Sequence, residues 1–179
     1  MDAITLPSRQ STIALQDITV HNWAPVTRLF VNRDQTALVV PNLESLCEHQ
    51  FYTPRSVVRA VVADTHTPVG YIRFQEQDSS EPYVKNNSAE STDGEGVYRL
   101  LSFMIDQACQ GLCFGTKAML LLQQELCRIQ GFREIRVSTA TFSTAHPDDS
   151  PEHFFAGLGF EKSKDGALET QAMIWTLPS

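Results

Sequence analysis

The segment Gln110–Thr116 combines residue types that can hold a phosphate group without a lysine. It lies between an apolar run, Tyr98–Ile105, and a stretch from Phe114 to Ile129 in which Met and Leu recur at helical spacing before Gly131. This order predicts a strand, a glycine-containing loop and a helix. First-turn N–H groups have no partner within a helix, and the helix dipole adds roughly half a positive charge there. The segment, which we call the phosphate loop, therefore predicts a pyrophosphate site.

The phosphate loop resembles the acyl-CoA loop of the GNAT family of N-acetyltransferases, whose pattern is Gln/Arg-x-x-Gly-x-Gly/Ala. Gln110 and Gly115 match this pattern, and Cys113 stands in place of its middle glycine. Five further segments match the family in its own order: Ile13–Thr19 with Asn22–Trp23, Val40–Asn42 with Ser45–Leu46, Gly70–Ile72, Met104–Asp106 and Phe154–Phe160. The second of these is similar to the branch that includes the bacterial spermine and spermidine acetyltransferases. The resemblance implies an α/β fold with a mixed, mostly antiparallel sheet and helices on both faces.

The same resemblance implies acetyl-CoA as cosubstrate and acetyl transfer to an amine. It assigns the cofactor to a strand end, to the phosphate loop and to one later aromatic residue: Phe103, Met104, Ile105, Gln110, Gly111, Leu112, Cys113, Phe114, Gly115, Thr116 and Phe155. Phe155 aligns with the tyrosine that protonates the leaving thiolate in many members, and phenylalanine has no proton to donate. Tyr98 and His146 are the replacement candidates for this catalytic step, although Tyr98 also suits a buried core position and His146 an exposed loop.

Carboxylates on the second predicted helix are candidates for binding the amine. Glu44 and Glu48 are four residues apart, so they share one helix face and can pair with the ammonium groups of a polyamine. Asp34, in the preceding loop, is a third candidate. The alternative interpretation is an exposed polar stripe opposite an inward-facing apolar set, which consists of Leu43, Leu46 and Cys47.

Composition limits the class of protein. The 179 residues, 42% of them hydrophobic and 20% charged, predict one globular domain over residues 12–179 after a mobile tail of residues 1–11. The net charge of −7 disfavours nucleic acid and suits a cationic small molecule, or only favours solubility. No apolar run approaches the ~20 residues of a membrane span, and residues 1–12 lack the pattern of a signal peptide, so we expect a cytoplasmic protein without membrane contact.

Cysteine spacing favours free thiols over a metal site. Cys47, Cys109, Cys113 and Cys127 form no Cys-x-x-Cys pair, and no histidine lies near Cys109 and Cys113 in sequence. We therefore expect no metal.

Patterning elsewhere predicts the remaining elements. The first strand spans about Thr12–Ile18, and Asn22 caps a helix whose inward face carries Trp23, Val26, Leu29 and Phe30. A helix is expected to begin near Pro41, followed by a hairpin of Val57–Ala63 with Val69–Phe74 and a long polar loop from Glu76 to Gly96. After the phosphate loop and its helix, we expect a strand over Glu134–Thr139 and a short helix with Phe154. The two last strands are Phe160–Lys162 and Gln171–Leu177, joined by a turn at Asp165–Gly166.

Three functions remain open at the level of sequence. The first is an N-acetyltransferase that modifies a small amine, with polyamines foremost. The second is an acetyltransferase of protein N-termini or lysines, which requires an open peptide groove. The third is a non-catalytic CoA-binding module of the same fold, which the replacement of the tyrosine by Phe155 favours. The resemblance to the GNAT family is compatible with a homodimer in each case.

Overall fold

The computed structural model describes residues 6–51, 55–77, 96–138, 151–163 and 172–177. The described strands are β1 (Ile13–Asp17), β2 (Val57–Ala63), β3 (Thr67–Glu76), β4 (Val97–Ile105), β5 (Glu134–Ser138), β6 (Glu161–Lys162) and β7 (Ala172–Thr176). The described helices are α1 (Trp23–Thr27), α2 (Asn42–Phe51), α3 (Phe114–Leu126) and α4 (Pro151–Ala156), with short 3-10 turns at Arg33–Gln35 and Gln107–Cys109.

The strands form one sheet in the order β1-β2-β3-β4-β5-β7-β6. Strand β4 pairs in parallel with β5, and Val97 lies opposite Glu134. Antiparallel pairs join β1 to β2, β5 to β7 and β6 to β7. A helix-containing chain with a mixed, mostly antiparallel sheet confirms the predicted fold class.

The chain divides into two compact units, and both β3 and β4 run through the two. The first unit comprises Met1–Arg73 and Ser102–Gln124. Its core contains buried residues of α1, β2, β3 and β4: Val26, Ala60, Val62, Tyr71 and Met104. Burial of these side chains is the main stabilising contribution to this unit. It is also the unit that contains the whole phosphate loop.

The second unit comprises Phe74–Leu101 and Glu125–Ser179. Its core includes a row of four aromatic rings, Phe74, Tyr98, Phe132 and Trp175, whose successive centroids lie 6.4, 5.8 and 6.1 Å apart. These separations suit the tilted ring pairs that aromatic side chains favour. The residues of this row come from β3, β4, the segment before β5, and β7.

Helix α3 has the predicted apolar face and a shorter span than predicted. Met119, Leu122 and Leu126 are fully buried. The helix ends at Leu126 rather than near Ile129, which is exposed, and the chain then turns through Gly131 at φ +85°. Only glycine adopts this conformation without a steric penalty, so Gly131 ends the turn after the helix rather than the helix itself.

Helix α2 matches its predicted inward face only in part. Leu46 packs half-buried against the core of the first unit, as predicted. The other inward-facing residues are polar. Leu43 is 54% exposed and Cys47 is also exposed, whereas Asn42 and Ser45 are buried. The reason is Arg73 on β3, which is 5% exposed and donates to the carbonyl and hydroxyl oxygens of Ser45 at 3.2 Å each. A buried guanidinium needs hydrogen-bond acceptors, and this requirement outweighs the burial of one leucine.

Helix α1 also differs from its prediction. It spans only five residues, Val26 is buried on it, and Trp23 and Phe30 are exposed rather than turned inward. Leu29 lies beyond the end of α1 and packs half-buried against the core of the first unit. The predicted Asn22 cap makes no side-chain bond to the helix and instead accepts from the Thr19 N–H at 2.7 Å.

Most remaining predictions fall on described residues. The hairpin of β2 and β3 is confirmed. Most of the predicted polar loop, residues 78–95, and the predicted turn at Asp165–Gly166 lie outside the described residues. No helix in the described part of the chain is long and apolar enough to cross a membrane.

Candidate functional site

The phosphate loop connects β4 to α3 through a tightly bonded turn. The Asp106 carboxylate accepts from the Ala108 N–H at 3.0 Å, and the Asp106 carbonyl accepts from the Cys109 N–H at 2.8 Å. The Asp106 N–H donates to the Val69 carbonyl at 2.8 Å, which attaches the end of β4 to β3. The loop therefore leaves the sheet from a fixed point.

The predicted pantetheine segment, Phe103–Ile105, is the last part of β4 and leads directly into this turn. Met104 and Ile105 are buried, and Gly70 on β3 lies against the Met104 carbonyl oxygen and the Ile105 side chain. A Cβ atom at Gly70 would lie 2.6 Å from the Met104 carbonyl oxygen, a distance that forces a shift of backbone. Glycine is thus required at residue 70 for the close approach of the two strands.

Two residues of the phosphate loop have left-handed backbone conformations. Gly111 lies at φ +74° and Cys113 at φ +63°. The Cys113 carbonyl accepts from the Lys117 N–H at 3.1 Å, so Cys113 is the N-cap residue directly before α3. The buried Phe114 ring anchors the first turn, and Cys113 and Thr116 are exposed. The start of α3 therefore faces solvent with its first-turn N–H groups unpaired within the helix, which suits an anion.

The Gln110 side chain binds the segment between α1 and α2. Its amide nitrogen donates to the Gln35 side chain at 2.8 Å and to the Ile105 carbonyl at 3.0 Å, and its oxygen accepts from Asn32 at 2.9 Å. We call residues 28–41 the inter-helix segment. Gln110 thus connects the phosphate loop to this segment.

A second connection joins the same two regions. The Asp106 carboxylate accepts from the Phe30 N–H at 3.1 Å, and the Gln107 N–H donates to the Phe30 carbonyl at 2.9 Å. These bonds fix the inter-helix segment beside the loop. Asp34, one of the predicted amine ligands, is exposed in the 3-10 turn of this segment.

The other predicted amine ligands lie on α2 in different environments. Glu44 is exposed. The Glu48 carboxylate lies 2.6 Å from the Arg73 Nη1 atom. Arg73 also donates to the Ser56 hydroxyl at 3.3 Å, and the hydroxyls of Ser45 and Tyr71 are in hydrogen-bond contact at 3.1 Å. Glu48 therefore balances a buried cation, a role that sequence reasoning did not assign to it.

Solved structures with the same architecture identify the fold. An acetyltransferase of the GNAT family from Staphylococcus aureus Mu50 is 17% identical, with a TM-score of 0.55 over 93% of this chain and 100% of its own. The aminoglycoside acetyltransferase AAC(6')-Ib, in complex with ribostamycin and coenzyme A, is 17% identical with a TM-score of 0.64 over 92% of this chain and 93% of its own. The chain has the GNAT fold.

A third structure with the GNAT fold is YhbS from Escherichia coli, solved in complex with CoA. It is 14% identical to this chain, with a TM-score of 0.57 over 97% of this chain and 85% of its own. No protein-family model matches the sequence, and no curated protein matches it. At these identities the likeness shows the fold, and the resemblance to the polyamine branch stays a prediction.

Tyr98 and Phe155, the two described residues considered for the catalytic step, belong to the second unit. Tyr98 is 7% exposed within the aromatic row, and burial raises its pKa, with a further increase from the charge of Glu76. Phe155, on α4, is buried edge-on between Phe154 and Phe160, with both centroid distances 5.2 Å. His146 lies outside the described residues. The catalytic assignments of Tyr98 and His146 stay predictions.

All four cysteines are free thiols, as the spacing predicts. Over the described ranges, no group of three or more His, Cys, Asp or Glu side chains is arranged to hold a metal ion. Burial raises the pKa of the Cys109 thiol, and the nearby charge of Asp106 raises it further.

The N-terminal segment, Leu6–Ser11, lies beside the phosphate loop. Arg9 donates to the Gly111 carbonyl at 3.1 Å, and the Lys117 ammonium donates to the Arg9 carbonyl at 2.9 Å. Sequence reasoning assigned residues 1–11 to a mobile tail. The sequence contains no signal for this contact, because the two residues are both basic and lie 108 positions apart.

Proposed function

We propose that the protein is an acetyl-CoA-dependent N-acetyltransferase that acts on a small amine, with polyamines as the first substrate class to test. One observation carries the proposal. A solvent-facing helix start, preceded by two left-handed residues, follows β4 in a chain with the GNAT fold. Two structures with this fold were solved with coenzyme A bound.

The phosphate loop has the chemistry that a pyrophosphate requires. An added Cβ at Gly111 would meet no atom within 4 Å, so the loop is open on that side. The backbone N–H groups from Leu112 to Thr116 are the proposed donors, supported by the dipole of the 13-residue helix α3. The backbone of Phe103–Ile105 is the proposed partner of the pantetheine amides.

Acetyl-CoA supplies a thioester, whose C–S bond breaks as the C–N bond of the product amide forms. The amine must lose a proton before it attacks, and the thiolate must gain one. Exposed carboxylates of Asp34 and Glu44 are the proposed ligands of the ammonium form, and the net charge of −7 favours its approach.

Of the groups that the reaction needs, a proton donor for the thiolate has the least structural support. Phe155 carries no proton. A thiol with a pKa of ~8.5 is a fair leaving group at neutral pH, so water can complete the step slowly. Tyr98 stays protonated at neutral pH, since its pKa is raised, and it remains a candidate acid.

An acceptor panel tests the proposal. Purified protein with acetyl-CoA is offered spermidine, spermine, an aminoglycoside and an unmodified peptide N-terminus, and free thiol is measured. We expect thiol release with the polyamines. Release only with the peptide supports the protein acetyltransferase instead, and release with none of the four contradicts a transferase for these classes.

Binding is tested separately with Gly115→Val. Acetyl-CoA at ten times its dissociation constant should stabilise the wild type by ~1.4 kcal/mol. The valine should remove most of this gain because its branched side chain covers the start of α3. Leu120→Val is the matched control, since it places the same side chain at an exposed position of the same helix. Equal stabilisation of both variants places the cofactor elsewhere.

Phe155→Tyr distinguishes a slow enzyme from a non-catalytic CoA-binding module. The GNAT resemblance aligns Phe155 with the acid tyrosine, and general acid catalysis is worth ~10²- to 10⁴-fold in rate. We expect a higher kcat with nearly unchanged acetyl-CoA affinity, because the ring is retained. Fast wild-type turnover without a gain in the variant contradicts this account of Phe155. Binding without turnover in both proteins supports the module.

A further inference from the structure

The N-terminal segment is a defined turn. The Ser11 N–H donates to the Ser8 carbonyl at 2.9 Å, and the Ser8 N–H donates to the Ser11 hydroxyl at 2.9 Å. Immediately after it, the Thr12 N–H donates to the Asp64 carboxylate at 3.0 Å, and the Asp64 N–H donates to the Thr12 carbonyl at 3.1 Å. The segment is therefore attached at its C-terminal end to the turn between β2 and β3.

Lys117 attaches the same segment to α3. Its ammonium donates to the carbonyls of Arg9 and Ser11 at 2.9 and 3.0 Å and lies 5.6 Å from the centroid of the Phe114 ring. A cation in the first turn of a helix is disfavoured by the helix dipole. Two carbonyl acceptors and an aromatic face compensate for this position.

Arg9 acts on the phosphate loop itself. Its Nη2 atom donates to the Gly111 carbonyl at 3.1 Å. The Gly111 carbonyl and the Leu112 N–H belong to one planar peptide group and point in opposite directions. A bond that fixes this carbonyl therefore also fixes the direction of the Leu112 N–H. The bond matters here because Gly111, at φ +74°, has no Cβ and its backbone has few steric restraints of its own. A charged donor also polarises the peptide, which makes the Leu112 N–H a stronger donor.

We propose that Leu6–Ser11 is a positioning element of the cofactor site, in which Arg9 orients the Leu112 N–H toward the pyrophosphate and Lys117 holds the segment in place. The inference rests on the proposed binding of acetyl-CoA to the phosphate loop. Arg9 and Lys117 are positioning residues, since both act through the backbone.

Three acetyl donors test the proposal: acetyl-CoA, acetyl-dephospho-CoA and S-acetylpantetheine, which lacks the pyrophosphate. For Arg9→Ala we expect kcat/KM to fall roughly threefold to tenfold with the first two donors, the range of one exposed charge-assisted hydrogen bond. With S-acetylpantetheine we expect no change. Lys117→Met should show the same pattern. Arg9→Lys should retain part of the effect, because one donor can still reach the Gly111 carbonyl.

Arg128→Ala is the matched control, because it removes the same charge from an exposed residue beyond the end of α3. A loss confined to acetyl-CoA overturns the proposal in favour of direct contact between Arg9 and the 3′-phosphate. Equal losses with all three donors, or no loss with any, also overturn it.

A ligand-free readout separates positioning from direct contact with the pyrophosphate. In ¹⁵N NMR spectra without ligand, Arg9→Ala should shift the Leu112 amide resonance, and Arg128→Ala should not. An unmoved Leu112 resonance overturns the proposal. If the proposed function itself is wrong, the wild-type protein shows no thermal shift with acetyl-CoA. If the wild type binds without turnover, thermal shifts with CoA and dephospho-CoA replace kcat/KM.

Discussion

Cys113 combines a side chain with a backbone conformation that favours glycine. At φ +63° a residue with a Cβ is destabilised by roughly 1–2 kcal/mol. Glycine relieves this strain, although its greater freedom in the unfolded chain costs about 0.5–1 kcal/mol. We therefore expect Cys113→Gly to raise the free energy of unfolding by ~0.5 kcal/mol in urea denaturation, and to bind acetyl-CoA at least as tightly.

Cys113→Ala is the control for this prediction. It removes the thiol but retains the Cβ, so the strain persists and no stabilisation is expected. If alanine stabilises the protein as much as glycine does, the sulfur rather than the backbone is the source of the destabilisation.

The two glutamates of α2 should respond differently to substitution. Glu48→Ala removes the carboxylate from buried Arg73, and we expect a loss of about 1–2 kcal/mol. This is below the cost of breaking a fully buried pair because the Glu48 side chain is 42% exposed. Glu44→Ala should leave stability unchanged and raise the KM for a polyamine. Urea denaturation and steady-state kinetics on both variants measure these effects, and an unchanged KM for Glu44→Ala removes it from the proposed amine site.

At the scale of elements, the inter-helix segment and the phosphate loop are joined through Gln110. Asn32→Ala and Gln110→Ala should each destabilise the protein, and the double variant should lose less than the sum, by about 0.5–1.5 kcal/mol for the shared hydrogen bond. Urea denaturation of the four proteins measures this coupling. Additive losses mean that the 2.9 Å contact between Asn32 and Gln110 contributes nothing to stability.

The elements show which parts of the fold could be predicted from sequence. The hairpin, β4 and α3 follow from apolar patterns within short segments, and these were placed to within a few residues. Leu46 was placed correctly on the inward face of α2, but Leu43 and Cys47 were not. That face depends on Arg73, a buried charged residue of β3. The bonds of Gln110 to Gln35 and Asn32, and of Arg9 to Gly111, were missed because these partners lie 75 to 102 positions away. Local periodicity contains no information about such contacts.

At the scale of the whole molecule, two buried tyrosine hydroxyls predict a loss of stability at alkaline pH. Burial raises the pKa of Tyr71 and of Tyr98 above the ordinary value of 10. The folded protein therefore binds these protons more tightly than the unfolded chain, so the free energy of unfolding falls as pH rises above about 10. Tyr98→Phe keeps the aromatic row and should reduce this slope. Urea denaturation at pH 9 and pH 11 measures it, and an identical slope in the variant excludes Tyr98 as a cause.

The contact between Arg9 and Lys117 also has a consequence for the order of events during synthesis. The two residues are 108 positions apart. At a translation rate of about 5–20 residues per second, the ribosome adds Lys117 roughly 5–20 s after Arg9. During that interval the N-terminal segment has no place to bind on α3 and remains accessible to proteases and to enzymes that modify nascent chains. Docking of this segment is therefore a late step in the maturation of the chain.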